Sequence, residues 1–243
     1  MPELPEVQIV VNQLAPRLED ARIRAIEVRD PKIKLTKDLV SRKIQRVRRL
    51  GKNIIFDLSG GLHLLVHLRM TGWFELDEPK RWRAAIHTSR GTAWFEDPRR
   101  LGTMESVTTA QLERALKQLG PDPLLDGADL SALRTTSRPI KVALLDQRLV
   151  AGVGNIYASE SLWRARINPR RRSDRLRPAE LRALHRGIVA SLRRAIAYGP
   201  RIFEVQQFVV YGREGQPCRR CGTPIRRFVQ AQRSTYFCPR CQR

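Results

Sequence analysis

CRRCGTPIRRFVQAQRSTYFCPRC, residues 218–241, sets two Cys-x2-Cys knuckles 16 residues apart and contains every cysteine of the chain. Paired knuckles at this spacing are the pattern of a zinc ribbon, with Cys218, Cys221, Cys238 and Cys241 as thiolate ligands of one tetrahedral Zn2+. Two disulfides would use the same residues, but they belong to secreted chains, and nothing in the sequence points to secretion. A four-thiolate centre has no open position, so the expected zinc is structural. The segment 212–243 reads as a zinc-ribbon finger with eight Arg and a single acid, Glu214. Its hairpin, with Arg226, Arg227 and Arg233, is expected to lie on a polyanion.

The basic bias extends through the whole chain. In 243 residues, 46 Lys and Arg stand against 24 Asp and Glu, a net charge of +22. Residues 1–120 carry a net +7 and residues 121–243 a net +15, so the second half is expected to supply most phosphate contacts. At 42% hydrophobic composition the chain can bury a core, which excludes a wholly disordered basic tail. No apolar run reaches the ~18–20 residues of a membrane span, and MPELPEVQ (1–8) is not a signal peptide. An intracellular location, in the cytoplasm or nucleoid, is expected, with no membrane partner. Nucleic acid is the better polyanion, because no basic amphipathic helix carries an apolar anchor face.

Residues 4–18 place Val7, Val10, Val11 and Leu14 near helical spacing. From 22 to 107 the texture is short alternating or apolar runs, such as 22–28, 53–58, 62–68, 73–76 and 92–96. Breaks such as SGG, TGW, SRG and DPRR separate them, which predicts a β-sandwich or barrel after one helix. A helix is expected over 109–119, a hinge at 121–123, and helical segments near 129–135, 140–149, 155–164 and 178–197. The expected class is α+β in three domains: 1–120, 121–211 and 212–243.

Two further stretches carry possible chemistry. In LVAGVGNIYASESLWRARINP (149–169), Gly152 and Gly154 permit a tight positive-φ turn, and Asn155 suits an N-cap. Such a turn offers backbone N–H groups to a phosphate, or is simply a corner between helices. In Met1-Pro2-Glu3-Leu4-Pro5-Glu6, loss of Met1 would free the secondary amine of Pro2. Such an amine attacks a sugar carbon to give a cationic iminium, an electron sink for eliminating phosphates. Glu3 or Glu6 would be placed to move protons. The same residues also suit an ordinary helix start, where Pro and acids are favoured. Lys52, Met70 in HLRMTG (67–72) and the arginines of DPRRLG (97–102) stand at turns beside strands.

Together these pieces resemble the formamidopyrimidine-DNA glycosylase / endonuclease VIII family. MPELPEV, HLRMTG, DPRRLG, VGNIYASESL, VYGREGQPC and the terminal CRRCG…AQRSTYFCPRCQR occur in the family's order along nearly the whole chain. The PELPE start favours the formamidopyrimidine branch. The resemblance implies an N-terminal helix on a β-sandwich, a helix-two-turn-helix domain and a zinc ribbon. It implies a monomeric DNA glycosylase/AP lyase acting on double-stranded DNA with damaged bases or abasic sites. Pro2 would be the nucleophile, Glu3 the acid/base and Glu6 its support. Lys52 would bind phosphate and assist β-elimination. Asn155 and Arg233 would grip the phosphate at the flipped nucleotide, with Arg233 assisting δ-elimination. Lys141 would lie near the lesion pocket. Met70 and Arg99 would fill the space left by the flipped base, Arg99 facing the orphan base.

Three departures accompany the resemblance. Leu101 stands where the formamidopyrimidine branch has an aromatic wedge, and Trp82 stands near a family His that contacts DNA. Only 19 residues separate Tyr198 from Cys218, a stretch that in the family holds a loop over the flipped base. Preference for oxidised pyrimidines or hydantoins, and a catalytically silent DNA-binding protein on this scaffold, are the competing readings.

Overall fold

The apolar spacing of residues 4–18 forms the expected helix. α1 (Leu4–Leu18) buries Val7, Val10, Val11, Leu14 and Leu18 along one side. The computed structural model describes residues 2–125, 127–205 and 207–243, and the chain divides into two compact units, residues 1–117 and 118–243. Met1, whose removal the amine chemistry requires, lies outside the described residues.

In the N-terminal unit α1 is followed by eight strands: β1 (Ile23–Val28), β2 (Ile44–Leu50), β3 (Asn53–Leu58), β4 (Leu62–His67), β5 (Trp73–Glu75), β6 (Ala84–Thr88), β7 (Gly91–Glu96) and β8 (Thr103–Thr108). They make two antiparallel sheets, β1-β6-β7-β5 and β2-β3-β4-β8. The sheets pack as the expected sandwich. Phe56 of β3 lies 6.0 Å from Phe74 of β5, which lies 5.2 Å from Phe95 of β7. Leu64, Val66, Ile86 and Met104 complete this core, and α1 closes it with its apolar side. β2 is not evident from apolar runs because IQRVRRL puts Arg46 in solvent, and a register shift between Ile44 and Arg46 interrupts its alternation. α2 (Thr109–Leu116) starts on a capping box between Thr108 and Gln111.

The C-terminal unit contains α3 (Ile140–Leu145), α4 (Asn155–Ala165), α5 (Pro178–Ile196), α6 (Ile202–Val205) and the hairpin β9 (Arg226–Gln230) with β10 (Arg233–Phe237). α3 stops earlier than its pattern predicts. The Asp146 carboxylate takes the Arg148 N–H at 3.1 Å, drawing the chain into a turn that competes with the helix. The expected helix at 129–135 is a 3-10 turn over Ser131–Thr135. α4 and α5 approach closely at Gly187, where a Cβ would stand 2.8 Å from the Ser161 carbonyl oxygen. The ribbon packs Val209, Val210 and Ile225 on Trp163 and the cysteines. Its entrance is fixed by Glu160 of α4, whose buried carboxylate accepts the N–H groups of Val209, Val210 and Tyr211 at 2.9–3.1 Å. Among the described residues no helix is long and apolar enough to cross a membrane.

Candidate active site and nucleic-acid interface

Pro2 is buried at the entry to α1. Glu3 is the N-cap in extended conformation, and Glu6 Oε2 accepts its backbone N–H at 2.8 Å. That bond fixes the peptide carrying Pro2 and Glu3, so Glu6 acts on their geometry. Glu3 is 2% exposed. Lys52 follows Gly51, whose φ of +57° makes the tight β2–β3 turn. Arg49 ties this turn to α1, donating to the Gly51 carbonyl at 3.0 Å and to Gln8 Oε1 at 2.9 Å. The start of α1 and the Lys52 turn are therefore coupled parts of one unit. His67 lies across the β3–β4 ladder from Asn53. Burial, and then the charges of Arg69 and Lys52, push its imidazole down to about 4.

Two loops of the same unit carry the expected insertion residues. Met70, in the turn after β4, is 37% exposed, and Leu101, in the loop from β7 to β8, is 43% exposed. Arg99 is exposed beside Leu101, whereas Arg100 turns back to Asp30 at 2.9 Å. Trp82 is not a free DNA contact. It is buried under the Arg29 guanidinium, 3.5 Å from its ring, and donates to Glu78 at 3.1 Å.

In the C-terminal unit the glycine turn departs from expectation. Gly152 has φ +88°, but Gly154 is extended and is itself the N-cap of α4. Asn155 is the first helical residue, and its side chain is drawn away from capping. Its Oδ1 accepts from Lys141 Nζ at 2.7 Å, and its Nδ2 donates to the Ser234 carbonyl at 3.2 Å. Lys141, 1% exposed, also donates to the Ser234 carbonyl at 3.0 Å and to Thr235 Oγ1 at 2.7 Å. These bonds join α3, α4 and β10. Next to them Arg233 is exposed at the hairpin tip. The tip residues Ala231 and Gln232 have φ of +47° and +58°, the two-residue hairpin turn that favours Asn-Gly. Holding non-glycine residues there costs on the order of 1 kcal/mol each.

The four cysteine Sγ atoms lie within 4.8 Å of one another and none is in a disulfide. Tetrahedral zinc with thiolates at about 2.3 Å requires sulfurs about 3.8 Å apart, and the donor set fits. Cys218 Sγ accepts from Trp163 Nε1 at 3.3 Å and from the Arg220 N–H at 3.5 Å, bonds that favour a thiolate.

Sequence reasoning missed Glu160, Arg49, His67 and the buried Asp30–Arg83–Asp97 group. The one available signal was a lone charge, Arg83, set between Trp82 and the apolar AAI of β6.

Known proteins resemble the chain along its whole length. Residues 1–104 match the formamidopyrimidine-DNA glycosylase N-terminal domain and residues 119–207 its H2TH domain. Residues 215–243 match the zinc finger found in FPG and IleRS. The formamidopyrimidine-DNA glycosylase of Thermus thermophilus is 40% identical over 263 aligned positions, covering 100% of this chain and 98% of the relative. That of Ruegeria pomeroyi is 39% identical, with 100% of both chains covered. Among solved structures, the Thermus thermophilus MutM (Fpg) protein superposes with a TM-score of 0.88 at 38% identity, covering 99% and 98% of the two chains. Lactococcus lactis Fpg, bound non-covalently to DNA containing an AP site, gives 0.89 at 35% identity, with 99% of each chain covered. The four thiols are the structural zinc centre of the matched finger, and the chain belongs to the formamidopyrimidine-DNA glycosylase family.

Proposed function

We propose that this chain is a bifunctional DNA glycosylase and AP lyase of base-excision repair. It acts on double-stranded DNA carrying oxidised or ring-opened bases or abasic sites, at the nucleoid. The observation that carries this reading is the buried Pro2–Glu3 start of α1, held by Glu6 and coupled through Arg49 to the Lys52 turn. A DNA-binding protein without chemistry needs neither a Pro2 amine nor Glu3 beside it.

In this reading the Pro2 nitrogen, once N-terminal, bonds to C1′ of the damaged nucleotide as the bond from C1′ to the base breaks. Glu3 gives a proton to the ring oxygen as the sugar opens, leaving an iminium. That cation draws electrons from the adjacent C–H bond, and the phosphates depart by β- and then δ-elimination, with Lys52 and Arg233 at the leaving oxygens. Asn155, oriented by Lys141, holds the neighbouring phosphate. A base inside a duplex is out of reach, so Met70, Arg99 and Leu101 fill the gap as it turns out. The organisation is three segments, 1–120 for chemistry, 121–211 for DNA grip and 212–243 as the finger.

Substrate preference follows from the span after α5. The Glu160 clamp begins at Val209, which leaves residues 197–208 between helix and clamp, and a 3-10 turn and α6 occupy most of them. The Thermus thermophilus alignment runs over 263 positions against 243 residues here, so the relative carries residues that this chain lacks. With little chain to wrap a flipped purine, fewer backbone donors meet its edge and selectivity falls. Ring-opened formamidopyrimidines and hydantoins are therefore preferred over 8-oxoguanine.

Single-turnover excision on duplexes that differ only in the lesion opposite cytosine tests both levels. Formamidopyrimidine-guanine should be cut faster than 8-oxoguanine, and an abasic strand should be cleaved. Equal rates would remove the short-segment account. Binding without cleavage of any of them would favour the catalytically silent reading.

A further inference from the structure

One hydroxyl group belongs to both loops that carry the insertion residues. Thr71 Oγ1 donates to Asp97 Oδ1 and accepts the backbone N–H of Arg99 at 3.3 Å. Thr71 is the neighbour of Met70 in the turn after β4, and Asp97 opens the β7–β8 loop that ends at Gly102.

Asp97 is itself fixed from behind. Its Oδ2 accepts the Gly102 N–H at 2.7 Å and Arg83 Nη1 at 2.8 Å. The same Arg83 Nη1 donates to the Gly102 carbonyl at 2.8 Å, and Arg83 Nε reaches Asp30 Oδ2 at 2.7 Å. Asp30 also takes Arg100 Nε at 2.9 Å, and the Arg100 N–H donates to the Asp97 carbonyl at 3.0 Å. Asp30, Arg83 and Asp97 are each at most 4% exposed. Asp30 is held well below the usual carboxylate range, first by the Arg100 hydrogen bond, then by the Lys32 N–H and Arg83 against the cost of burial.

The network explains the conformation of the second loop. Arg100 adopts φ +55° and spends its side chain on Asp30, so Arg99 and Leu101 face outward alone. Gly102 leaves no room for error. A Cβ there would stand 2.8 Å from the Phe95 ring and 3.2 Å from the His67 carbonyl, which belongs to the strand that leads into the Met70 turn. The Thr71 hydroxyl joins the two loops, and a side chain at Gly102 would crowd the strand that leads into the first. The hydroxyl reaches the peptide of Arg99, a residue expected to enter DNA.

We propose that Thr71 is a positioning residue whose hydroxyl locks the two loops into one rigid wedge, so that Met70 and the Arg99–Leu101 pair enter the duplex together. The proposal rests on the reading of those three side chains as insertion residues. Opening the stack is opposed by stacking energy, and a side chain on a free loop must also be ordered at that moment. A pre-joined wedge is ordered beforehand. Without the hydroxyl, Asp97 Oδ1 and the Arg99 N–H lose their shared partner, while the Arg83 and Gly102 contacts of Asp97 remain.

The test compares Thr71→Val, Thr71→Ala and Thr71→Ser with Met70→Ala and Arg99→Ala. Stopped-flow fluorescence of 2-aminopurine beside an abasic-site analogue reports duplex opening. Single-turnover excision of formamidopyrimidine-guanine reports its consequence. Thr71→Val and Thr71→Ala should slow opening and excision about tenfold, as a misplaced positioning contact does, while Thr71→Ser stays within about twofold of the parent. Thr71→Val combined with Arg99→Ala should slow opening by less than the product of the two single effects, since part of the lock acts through the Arg99 side chain and coupled sites are not additive. Parent-like opening in both hydroxyl-free variants, with Met70→Ala and Arg99→Ala slowed, would overturn the lock and leave the insertion reading standing. Full additivity of the double variant would also overturn it. Unchanged opening in Met70→Ala and Arg99→Ala would overturn the insertion reading and the lock with it.

Discussion

Lys141 donates to Oδ1 of Asn155 at 2.7 Å, from α3 to the first residue of α4. This bond decides which way the Asn155 amide faces. With its oxygen on the ammonium, the NH2 group must point the other way, and it meets the Ser234 carbonyl at 3.2 Å. Lys141 reaches the same carbonyl and Thr235 Oγ1. The residue beside Arg233 is thereby fastened to the glycine turn by a buried cation.

Replacing Lys141 with Met should leave buried acceptors on Asn155, Ser234 and Thr235 short of a donor. The expected loss of stability is about 2–4 kcal/mol, from the cost of unsatisfied buried polar groups. Affinity for abasic-site duplex should fall with it, because Asn155 and Arg233 lose their setting. Lys141→Arg should not restore either, since a planar guanidinium cannot reproduce the three directions of an ammonium. Thermal melting and binding titrations on the two variants check this.

The zinc centre should report through Trp163, the sole tryptophan of residues 118–243, which donates to Cys218 Sγ. Purified protein should contain one zinc per chain. Stripping it with a chelator should change tryptophan emission and abolish tight DNA binding, and Trp163→Phe should remove most of the emission change. Absence of zinc, or a mass that reveals two disulfides, would contradict the assignment.

Apolar spacing made α1 legible, and ligand spacing made the ribbon legible, because both patterns follow from one local requirement. The Pro2–Glu3 start and the Met70 turn stand out only through the family resemblance, since by residue type they also suit an ordinary helix start and a strand end. What stayed hidden depends on partners distant in sequence. Nothing local to Asp97 marks it as the buried partner of Arg83, 14 residues away. The resemblance sets Lys141 near the lesion pocket, but nothing local shows that its three donors are taken by protein acceptors as many as 94 residues away. Asn155 reads as a cap by residue type, and the buried ammonium of Lys141 claims its oxygen instead. β2 is obscured by the arginines on its outer face and by its irregular register.

Acid sensitivity should have a component from His67. Its imidazole titrates near 6.5 when unfolded and is pushed down to about 4 in the fold by burial and by Arg69 and Lys52. The unfolded chain therefore binds the extra proton between those values, and stability falls as pH drops through that window. The contribution is nil above the unfolded value and reaches a loss of about 3 kcal/mol near the lower end. Urea unfolding at about pH 7 and about pH 4.5, on either side of the unfolded value, should show the parent losing more stability than His67→Gln. An equal loss in both would place the acid sensitivity elsewhere.

The Pro2 amine is the centre of the proposed chemistry, and borohydride trapping tests it most directly. Protein incubated with abasic-site duplex and borohydride should form a covalent adduct, and peptide mapping should place the DNA remnant on the nitrogen of Pro2 as the first residue. Pro2→Gly should weaken trapping strongly. A remnant on Lys52 or another lysine, or full lyase activity in protein that retains Met1, would contradict the account.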